Sequence, residues 1–347
     1  MKKLTALLLA LAMMLTLVAC GGSTASENGG GDKTVYKVGI VNYVDDASLN
    51  QIIHNLQQQL DARGEELGVT FNYADYYDNA QADTTVLNQI GANMVADQVD
   101  VIVAVATPTA LTMLSATEDT DIPIIFAAVS DPVGAGLVES LDAPGGRVTG
   151  TSDALNTRSI LELMLLTQPD MDTVGLLYDA GQDSSTAPIA EAKAIFAEKG
   201  ITVVEKTGTN TDEVLLAAQA LCAEGVDAVF TPTDNTVMAA QLSIYEVFSQ
   251  AGIPHFGGAD SFALWGAFCG FGVDYAELGR KTADMVADVL VNEADPATTP
   301  VATFDNGKVS VNTETCQALG YDLSSIKEAF SAIASDFIEL TTQLEFD

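Results

Sequence analysis

The stretch Val99-Asp100-Val101-Ile102-Val103-Ala104-Val105-Ala106 decides the fold class, because every residue in it except Asp100 is apolar. A continuous apolar run of this length predicts a strand buried on both faces, as in the centre of a parallel sheet. Thr107-Pro108-Thr109 follows directly, and a proline in the first turn favours a helix that begins at this point. The stretch therefore predicts a strand followed by a helix, the repeating unit of an α/β sheet.

The sequence on both sides of this unit alternates in the same way between short β-branched runs and longer helical patterns. Strands are predicted at 36–41, 71–74, 122–128, 173–178 and 201–204, and helices at 49–66, 81–97, 108–118, 158–168 and 186–198. Such alternation is typical of βαβ units and a parallel sheet.

The second half of the chain repeats the pattern of the first half. Val38-Gly39-Ile40-Val41 matches Val174-Gly175-Leu176-Leu177, Val99 to Val103 matches Val226 to Phe230, and Ile122-Pro123-Ile124 matches Ile253-Pro254-His255. The matches lie 136, 127 and 131 residues apart and occur in the same order. Each half therefore predicts a Rossmann-like lobe with a parallel sheet, whose ligands bind at the carboxyl ends of the strands. Two such lobes facing each other predict a cleft.

Length and composition restrict the possible partners. The chain has 347 residues, enough for two domains, and 48% of them are hydrophobic, enough for a sizeable core. Its 48 acidic and 14 basic residues give a formal charge of −34. That charge repels phosphate backbones and anionic lipid headgroups, which excludes nucleic acid and polybasic membrane docking. A small molecule or a protein is the expected partner.

The first residues are typical of an export signal. Lys2 and Lys3 precede the uncharged run 4–19, which is short for a membrane-spanning helix, and the run ends in Leu17-Val18-Ala19-Cys20. That tetrad resembles the bacterial lipobox, so we predict a signal peptide at 1–19, lipid modification of Cys20 and a flexible, glycine-rich tether at 20–33. The folded part is expected to begin near Thr34.

Motifs for metal sites, cofactors and catalysis are absent from the sequence. Cys222, Cys269 and Cys316 are more than forty residues apart, and His54 and His255 are isolated, so no metal site is predicted and His54 is expected at the surface. No glycine-rich phosphate loop, H-E-x-x-H or G-x-S-x-G pattern occurs, so no cofactor and no catalytic residue is predicted. A catalytic pair of carboxylates, as in glycosidases, stays an open alternative, because a chain with 48 acidic residues contains many possible pairs.

Polar residues follow the predicted strands at the edge where ligands bind. They are Thr107, Thr109, Ser130, Asp131, Asp234, Asn235 and Asp260. Helix N-terminal amides and hydroxyls suit a carboxylate, and aspartates suit an ammonium group. The alternative is that these residues only cap helices and form turns.

A zwitterionic ligand would use these groups in two sets. We expect its carboxylate on Thr107, Thr109 and Ser130, and its ammonium group opposite Asp234 or Asp260, with Asp131 a weaker candidate. Tyr43, Phe262 and Trp265 are candidates for an apolar or aromatic side-chain pocket, and each is equally compatible with a place in the core.

Five runs of sequence resemble a known family. They are ATPTAL (106–111), AAVSDPVGAGLV (127–138), APGGRVTG (143–150), TPTDNTV (231–237) and FGVDYAELGR (271–280). They look like ABC-transporter substrate-binding lipoproteins of the tryptophan or tyrosine type, and the resemblance extends from about Val38 to Leu290. It implies the type I periplasmic-binding-protein fold, with two lobes joined by three crossovers that close over the ligand as a hinge. Lobe one is then expected at 34–150 plus 274–296, and lobe two at 151–273 plus 297–347.

The resemblance implies an exported solute-binding protein that is no enzyme. It would capture a small amino-acid-like ligand, with an aromatic or apolar side chain favoured, and pass it as a monomer to a permease and ATPase complex. Its lipid would hold it on the outer face of the cytoplasmic membrane, or in the periplasm or outer membrane of a diderm host. A ligand-sensing receptor, or a protein for a sugar or nucleoside, stays an alternative.

The resemblance also indicates three further site residues. At two places, however, this sequence departs from the family pattern. Asp45-Asp46-Ala47 occupies the place of a frequent His-Pro pair, and Asp183-Ser184-Ser185 occupies the place of an Asn-Ser pair. By this correspondence Asp46, Ser184 and Ser185 are expected at the ligand, while the departures leave its identity open.

Overall fold

Two sheets organise the chain in the computed structural model, which describes residues 34–305 and 307–346. The predicted signal peptide, Cys20 and the tether lie outside these described residues. Within the described part, no helix is long and apolar enough to span a membrane.

The first sheet has the strand order β2-β1-β4-β5-β6, with β3 paired to the end of β1. Its strands are β1 (Val35–Asn42), β2 (Thr70–Asn72), β3 (Tyr77–Asn79), β4 (Val101–Val105), β5 (Ile124–Ala127) and β6 (Val148–Thr151). All of its strand pairs are parallel. The strand β4 lies centrally and is buried along its whole length, as the apolar run predicts.

The second sheet has the order β13-β12-β11-β10-β9-β7-β8. Its strands are β7 (Thr173–Tyr178), β8 (Thr202–Thr207), β9 (Ala228–Thr231), β10 (His255–Gly257), β11 (Cys269–Gly272), β12 (Lys308–Asn312) and β13 (Asp336–Leu340). Only the pairing of β11 with β12 is antiparallel. The described residues thus form two α/β sheets, and the predicted fold class is confirmed.

Helices connect and cover the strands. In chain order they are α1 (Ala47–Leu67), α2 (Thr84–Ala96), α3 (Thr107–Ala116), α4 (Thr157–Thr167), α5 (Asp183–Lys199), α6 (Thr211–Glu224), α7 (Asn235–Ala251), α8 (Asp260–Leu264), α9 (Tyr275–Val291), α10 (Thr313–Ala318) and α11 (Leu323–Phe330). Most predicted boundaries are within about three residues of these. His54 is exposed on α1, as expected.

The internal repeat corresponds to equivalent strands in the two sheets. In the first sheet β1, β4 and β5 are neighbours in that order, and in the second sheet β7, β9 and β10 are neighbours in the same order. These are the strands that contain the three matching pairs of sequence runs. The repeat therefore predicts both the sheets and their internal order.

The chain passes between the sheets three times. It leaves the first sheet after β6, returns after β11 with α9, which packs along α1, and goes back to the second sheet with β12. Before the last passage it follows the edge of the first sheet, because the amide of Val301 donates to Leu141 O (2.8 Å) and that of Ala302 donates to Gly150 O (2.9 Å).

Candidate functional site

A small cavity lies between the carboxyl ends of the strands of both sheets. Its volume is about 40 Å³. Six of the residues predicted from the sequence line it, namely Asp46, Thr107, Ser130, Ser184, Asp234 and Asn235. Phe262, a candidate for the side-chain pocket, lines it as well.

Five predicted residues lie outside the cavity wall. Tyr43 is buried beside Gln182, Thr109 is buried in the first turn of α3, and Ser185 donates to Asp234. Asp131 is exposed and accepts from the amide of Gly134 (2.8 Å), which is the role of a turn former.

Asp260 is also outside the wall, and Trp265 is buried in the core, the second of the two places that the sequence allowed for it. Asp260 is buried and lies near Lys308, whose Nζ is 3.6 Å from Asp260 Oδ2. The indole of Trp265 donates to Leu344 O (2.9 Å), so this ring packs under the C-terminal segment.

Sequence reasoning missed four other polar residues of the wall, namely Ser48, Asp153, Thr233 and Tyr275. Ser261, which directly follows the candidate Asp260 in the sequence, also lines the cavity. Asp153 and Tyr275 lie in the first and second crossovers, just beyond β6 and β11. The run FGVDYAELGR contains Tyr275, so the family resemblance carried a signal for it. No simple pattern marks Asp153, because crossover residues do not follow a strand–helix rule.

Asp234 combines two structural roles at the start of α7. Its Oδ1 accepts from the amides of Thr236 and Val237 (3.0 and 2.9 Å), which caps the helix. Its Oδ2 accepts from the amide of Asp179 (2.7 Å) and the hydroxyl of Ser185 (2.6 Å). Since a carboxylate has about four acceptor positions, the protein itself fills those of Asp234.

The carboxylate of Asp153 accepts fewer hydrogen bonds than that of Asp234, and its partners connect the two halves of the site. Its Oδ1 accepts from Ser130 Oγ (2.9 Å), and its Oδ2 lies 3.4 Å from the hydroxyl of Tyr275. Ser130 Oγ is also 3.0 Å from Thr233 Oγ1 in the second half. Hydroxyl groups therefore surround a carboxylate that has one side open to the cavity.

A second set of contacts crosses the cleft at the beginnings of α1 and α8. Ser48 Oγ donates to Asp260 Oδ1 (2.6 Å), and Ser261 Oγ donates to Asp46 Oδ2 (3.0 Å). Asp46 also caps α1 by accepting from the amide of Leu49 (2.9 Å). The cleft is closed by these bonds.

The cavity is strongly acidic. Three buried carboxylates line it, those of Asp46, Asp153 and Asp234, and no Lys or Arg of the described residues does. Burial raises the pKa of Asp46 and of Asp153 to about 6, and raises the pKa of Asp234 as well. Such a site favours a ligand with a positive group. The described residues contain no cluster of His, Cys, Asp and Glu suited to a metal ion.

Two non-glycine residues at the cavity have a left-handed backbone. Ala106, directly after β4, has φ 75° and ψ 154°, and Ala128, directly after β5, has φ 55°. Conformations of this kind are costly for residues with a side chain and are concentrated at functional sites. At Ala106 the backbone turns into α3, whose first amides have no acceptor within the helix.

Residues 37–336 match the family described as ABC transporter substrate binding protein. The chain belongs to this family. The predicted family and the prediction of a binding protein, with no enzymatic activity, are thereby confirmed. The substrate-binding protein places its cavity where ligands of such sheets bind, at the carboxyl ends of the strands.

Two relatives have an amino acid in their description. A tyrosine-binding protein of Clostridioides difficile strain R20291 is 32% identical over 300 residues, which are 86% of this chain and 85% of the relative. A domain from Streptococcus pneumoniae, solved in complex with L-Trp, is 30% identical with a TM-score of 0.78, covering 88% of this chain and all of the other.

A third relative was solved without ligand in an open state. It is a substrate-binding protein with adhesive properties from Clostridium difficile, 30% identical over 89% of this chain and all of the other, with a TM-score of 0.65. At equal identity, the substrate-binding protein is closer in shape to the L-Trp complex. This agrees with the hydrogen bonds that close its cleft.

Proposed function

We propose that this substrate-binding protein captures an aromatic amino acid in its cleft for import. The observation that carries the proposal is the charge of the cavity wall. Three buried carboxylates line the cavity, and no Lys or Arg side chain among the described residues lines it. An amino acid brings an ammonium group to such a wall. The descriptions of the tyrosine-binding and L-Trp-bound relatives support an aromatic side chain.

Asp153 is the proposed partner of the ammonium group. Asp234 already accepts four hydrogen bonds from the protein, and Asp260 lies outside the wall with Lys308 nearby. Asp153 lines the cavity, and its side-chain partners are two hydroxyl groups, those of Ser130 and Tyr275, with its own backbone amide as a further donor. A cation there would be the strongest partner available to it.

The start of α3 is the proposed site for the ligand carboxylate. Thr107 lines the cavity, and the first amides of a helix are unpaired and carry partial positive charge. The hydroxyl of Thr109 is buried without a hydrogen-bond partner in the same turn. Ser130, expected here from the sequence, also lines the cavity and is bonded to Asp153 and Thr233.

Binding requires the cleft to open. The cavity of about 40 Å³ is smaller than the roughly 150 Å³ of an engineered cavity that holds benzene. An aromatic amino acid therefore enters an open form, and hinge closure around it follows.

Calorimetry on Asp153→Asn tests this function. L-Tyrosine and L-tryptophan are titrated into the parent protein, Asp153→Asn and the exposed control Asp172→Asn. We expect at least 30-fold weaker binding for Asp153→Asn, because loss of a buried charged partner costs about 2–5 kcal/mol. The control should bind within about twofold of the parent. A parent that binds neither amino acid contradicts the proposal.

The lipid on Cys20 and the permease complex complete the proposed function. A lipidated Cys20 would hold the monomer outside the cell at the membrane, next to the permease and ATPase that accept the ligand. Cys20→Ser should release the protein into the soluble fraction. Unmodified parent protein, recovered soluble and without lipid mass on its N-terminal peptide, would contradict the anchor.

A further inference from the structure

Three polar atoms are buried without a hydrogen-bond partner behind one wall of the cavity. They are Nε2 and Oε1 of Gln241 and Nδ1 of His255. The two side chains are 0% and 2% exposed. Buried amide groups nearly always have partners, so a fully unpaired one requires an explanation.

Met238 and Phe262 form the wall in front of these atoms. Both line the cavity. Gln241 follows Met238 by three residues on α7, hence on the same face of the helix and about 4.5 Å farther along its axis. The ring of His255 packs edge-on against Phe262, with 5.7 Å between their centroids. The unpaired atoms thus lie one layer deeper than the present cavity.

This layer presents neutral hydrogen-bonding groups. Burial lowers the pKa of His255 to about 3, so its ring is uncharged at neutral pH, and Nε2 is 2.9 Å from Thr231 Oγ1. The amide of Gln241 can both donate and accept. A charged ligand group would find no opposite charge here, whereas a hydroxyl or a ring N–H would find a partner.

The side chain of an aromatic ligand has to move this wall. The present cavity cannot hold an aromatic ring, and Met238 has a flexible side chain that adapts to new neighbours. An amino acid bound at Asp153 and α3 can extend its ring past Met238 and Phe262 toward Gln241. The polar group of the ring then reaches the side-chain amide of Gln241. Among the described residues of α7, this is the one buried side-chain amide without a hydrogen-bond partner.

We propose that Gln241 determines specificity for aromatic side chains that carry a hydroxyl or N–H group, and against phenylalanine. The inference rests on the proposed function, because it assumes an aromatic amino acid in the cleft. A phenol or indole satisfies the buried amide, whereas a phenyl ring leaves it unpaired, and sites built to bond such a group reject analogues that lack it.

The test compares ligand preference before and after removal of the amide. L-Tyrosine, L-tryptophan and L-phenylalanine are titrated calorimetrically into the parent, Gln241→Leu and Gln241→Met, with Gln51→Leu on α1 as the control. The parent should bind tyrosine or tryptophan at least tenfold more tightly than phenylalanine. Both Gln241 variants should reduce that ratio to within about twofold, with phenylalanine affinity retained, and the control should keep the parent's ratio.

The outcomes separate this inference from the proposed function. A folded Gln241→Leu or Gln241→Met protein that keeps the parent's preference overturns the inference, and so does a parent that binds all three ligands equally. In both cases aromatic amino acid binding itself stands. A parent that binds none of the three overturns the proposed function and the inference with it. If Gln241→Leu does not fold, Gln241→Met provides the same test, because methionine is flexible and about as long as glutamine.

Discussion

Ser261 Oγ donates a hydrogen bond to Asp46 Oδ2 across the cleft, and the distance between the two atoms is 3.0 Å. The pairing is reciprocal, because Ser48, two residues after Asp46, donates to Asp260, the residue before Ser261. The beginnings of α1 and α8 therefore hold each other closed through two short serine–aspartate bonds. All four side chains are buried.

Removing both serine hydroxyls should open the ligand-free protein. In Ser48→Ala/Ser261→Ala, Asp46 and Asp260 keep their buried carboxylates but lose donors across the cleft, so hydration of the open form is favoured. Small-angle scattering should give a larger radius of gyration than for the parent, and saturating ligand should restore the smaller value. Equal values without ligand would show that other contacts hold the cleft closed.

Acid should stabilise the ligand-free fold. The pKa of Asp46 and of Asp153 is about 6 in the folded protein, against about 3.9 in an unfolded chain. Between these values the folded state binds more protons, so the free energy of unfolding rises as pH falls, by about 1.4 kcal/mol per group at pH 5. Urea unfolding at pH 7.5 and 5 measures this. Asp153→Asn should lose the share of the gain that Asp153 contributes, about 1.4 kcal/mol, and the exposed control Asp172→Asn should keep the parent's gain.

Ligand affinity should depend on pH in the opposite direction. The ammonium group is proposed to pair with ionised Asp153, and that pairing lowers the pKa of this carboxyl in the complex. Binding therefore releases a proton below pH 6, and the dissociation constant should increase about tenfold at pH 5 relative to pH 7.5. A dissociation constant that does not change with pH in the parent would remove Asp153 from the ammonium site. In Asp153→Asn this dependence should disappear.

The carboxyl-end rule explains which site residues the sequence could predict. Thr107, Ser130 and Asp234 each follow a strand closely, and all three line the cavity. Asp153 could not be predicted in this way, because its role depends on how the first crossover and the two sheets meet. Ser261 follows β10 closely, but its bond to Asp46 in the other half of the site could not be predicted from this position. The same holds for the partners of Asp234, since Asp179 and Ser185 are 55 and 49 residues away in the chain.

The fold was predictable because its signal is local and repeated. Buried strands such as β4 are visible in the sequence as apolar runs. The repeat predicts that β7, β9 and β10 are arranged in the second sheet as β1, β4 and β5 are in the first. The third crossover has no such pattern. Since Ala302 is bonded to the edge strand β6 and Val301 to Leu141 in the segment before β6, we propose that lobe one continues to about residue 304 and not 296.

Gly279 should be required for the packing of α9 on α1. A Cβ atom at Gly279 would clash with the backbone oxygen of Ile52. Alanine in a helix normally stabilises by about 1 kcal/mol relative to glycine, so the sign of the effect is diagnostic. We expect Gly279→Ala to lower the free energy of unfolding by about 1–3 kcal/mol, as overpacking does. Exposed Gly146, with open space at its Cβ position, is the control, and its alanine variant should change stability by less than about 0.5 kcal/mol.

Ala106→Gly should stabilise the protein although it removes a buried methyl group. The backbone of Ala106, at φ 75° and ψ 154°, is in a region that glycine adopts freely and that costs other residues about 1–3 kcal/mol. The greater flexibility of glycine in the unfolded chain offsets about 0.5–1 kcal/mol of this, and the loss of the buried methyl group offsets about 0.8 kcal/mol more. A net gain of up to about 1.5 kcal/mol is therefore expected in urea unfolding. Ala104→Gly, in the middle of buried β4, has no strain to relieve and should destabilise by about 1 kcal/mol. If both variants lose stability equally, the backbone of Ala106 is not strained. If instead Ala106→Gly gains stability but binds ligand several-fold more weakly, the strain serves to hold the first amides of α3 toward the cavity.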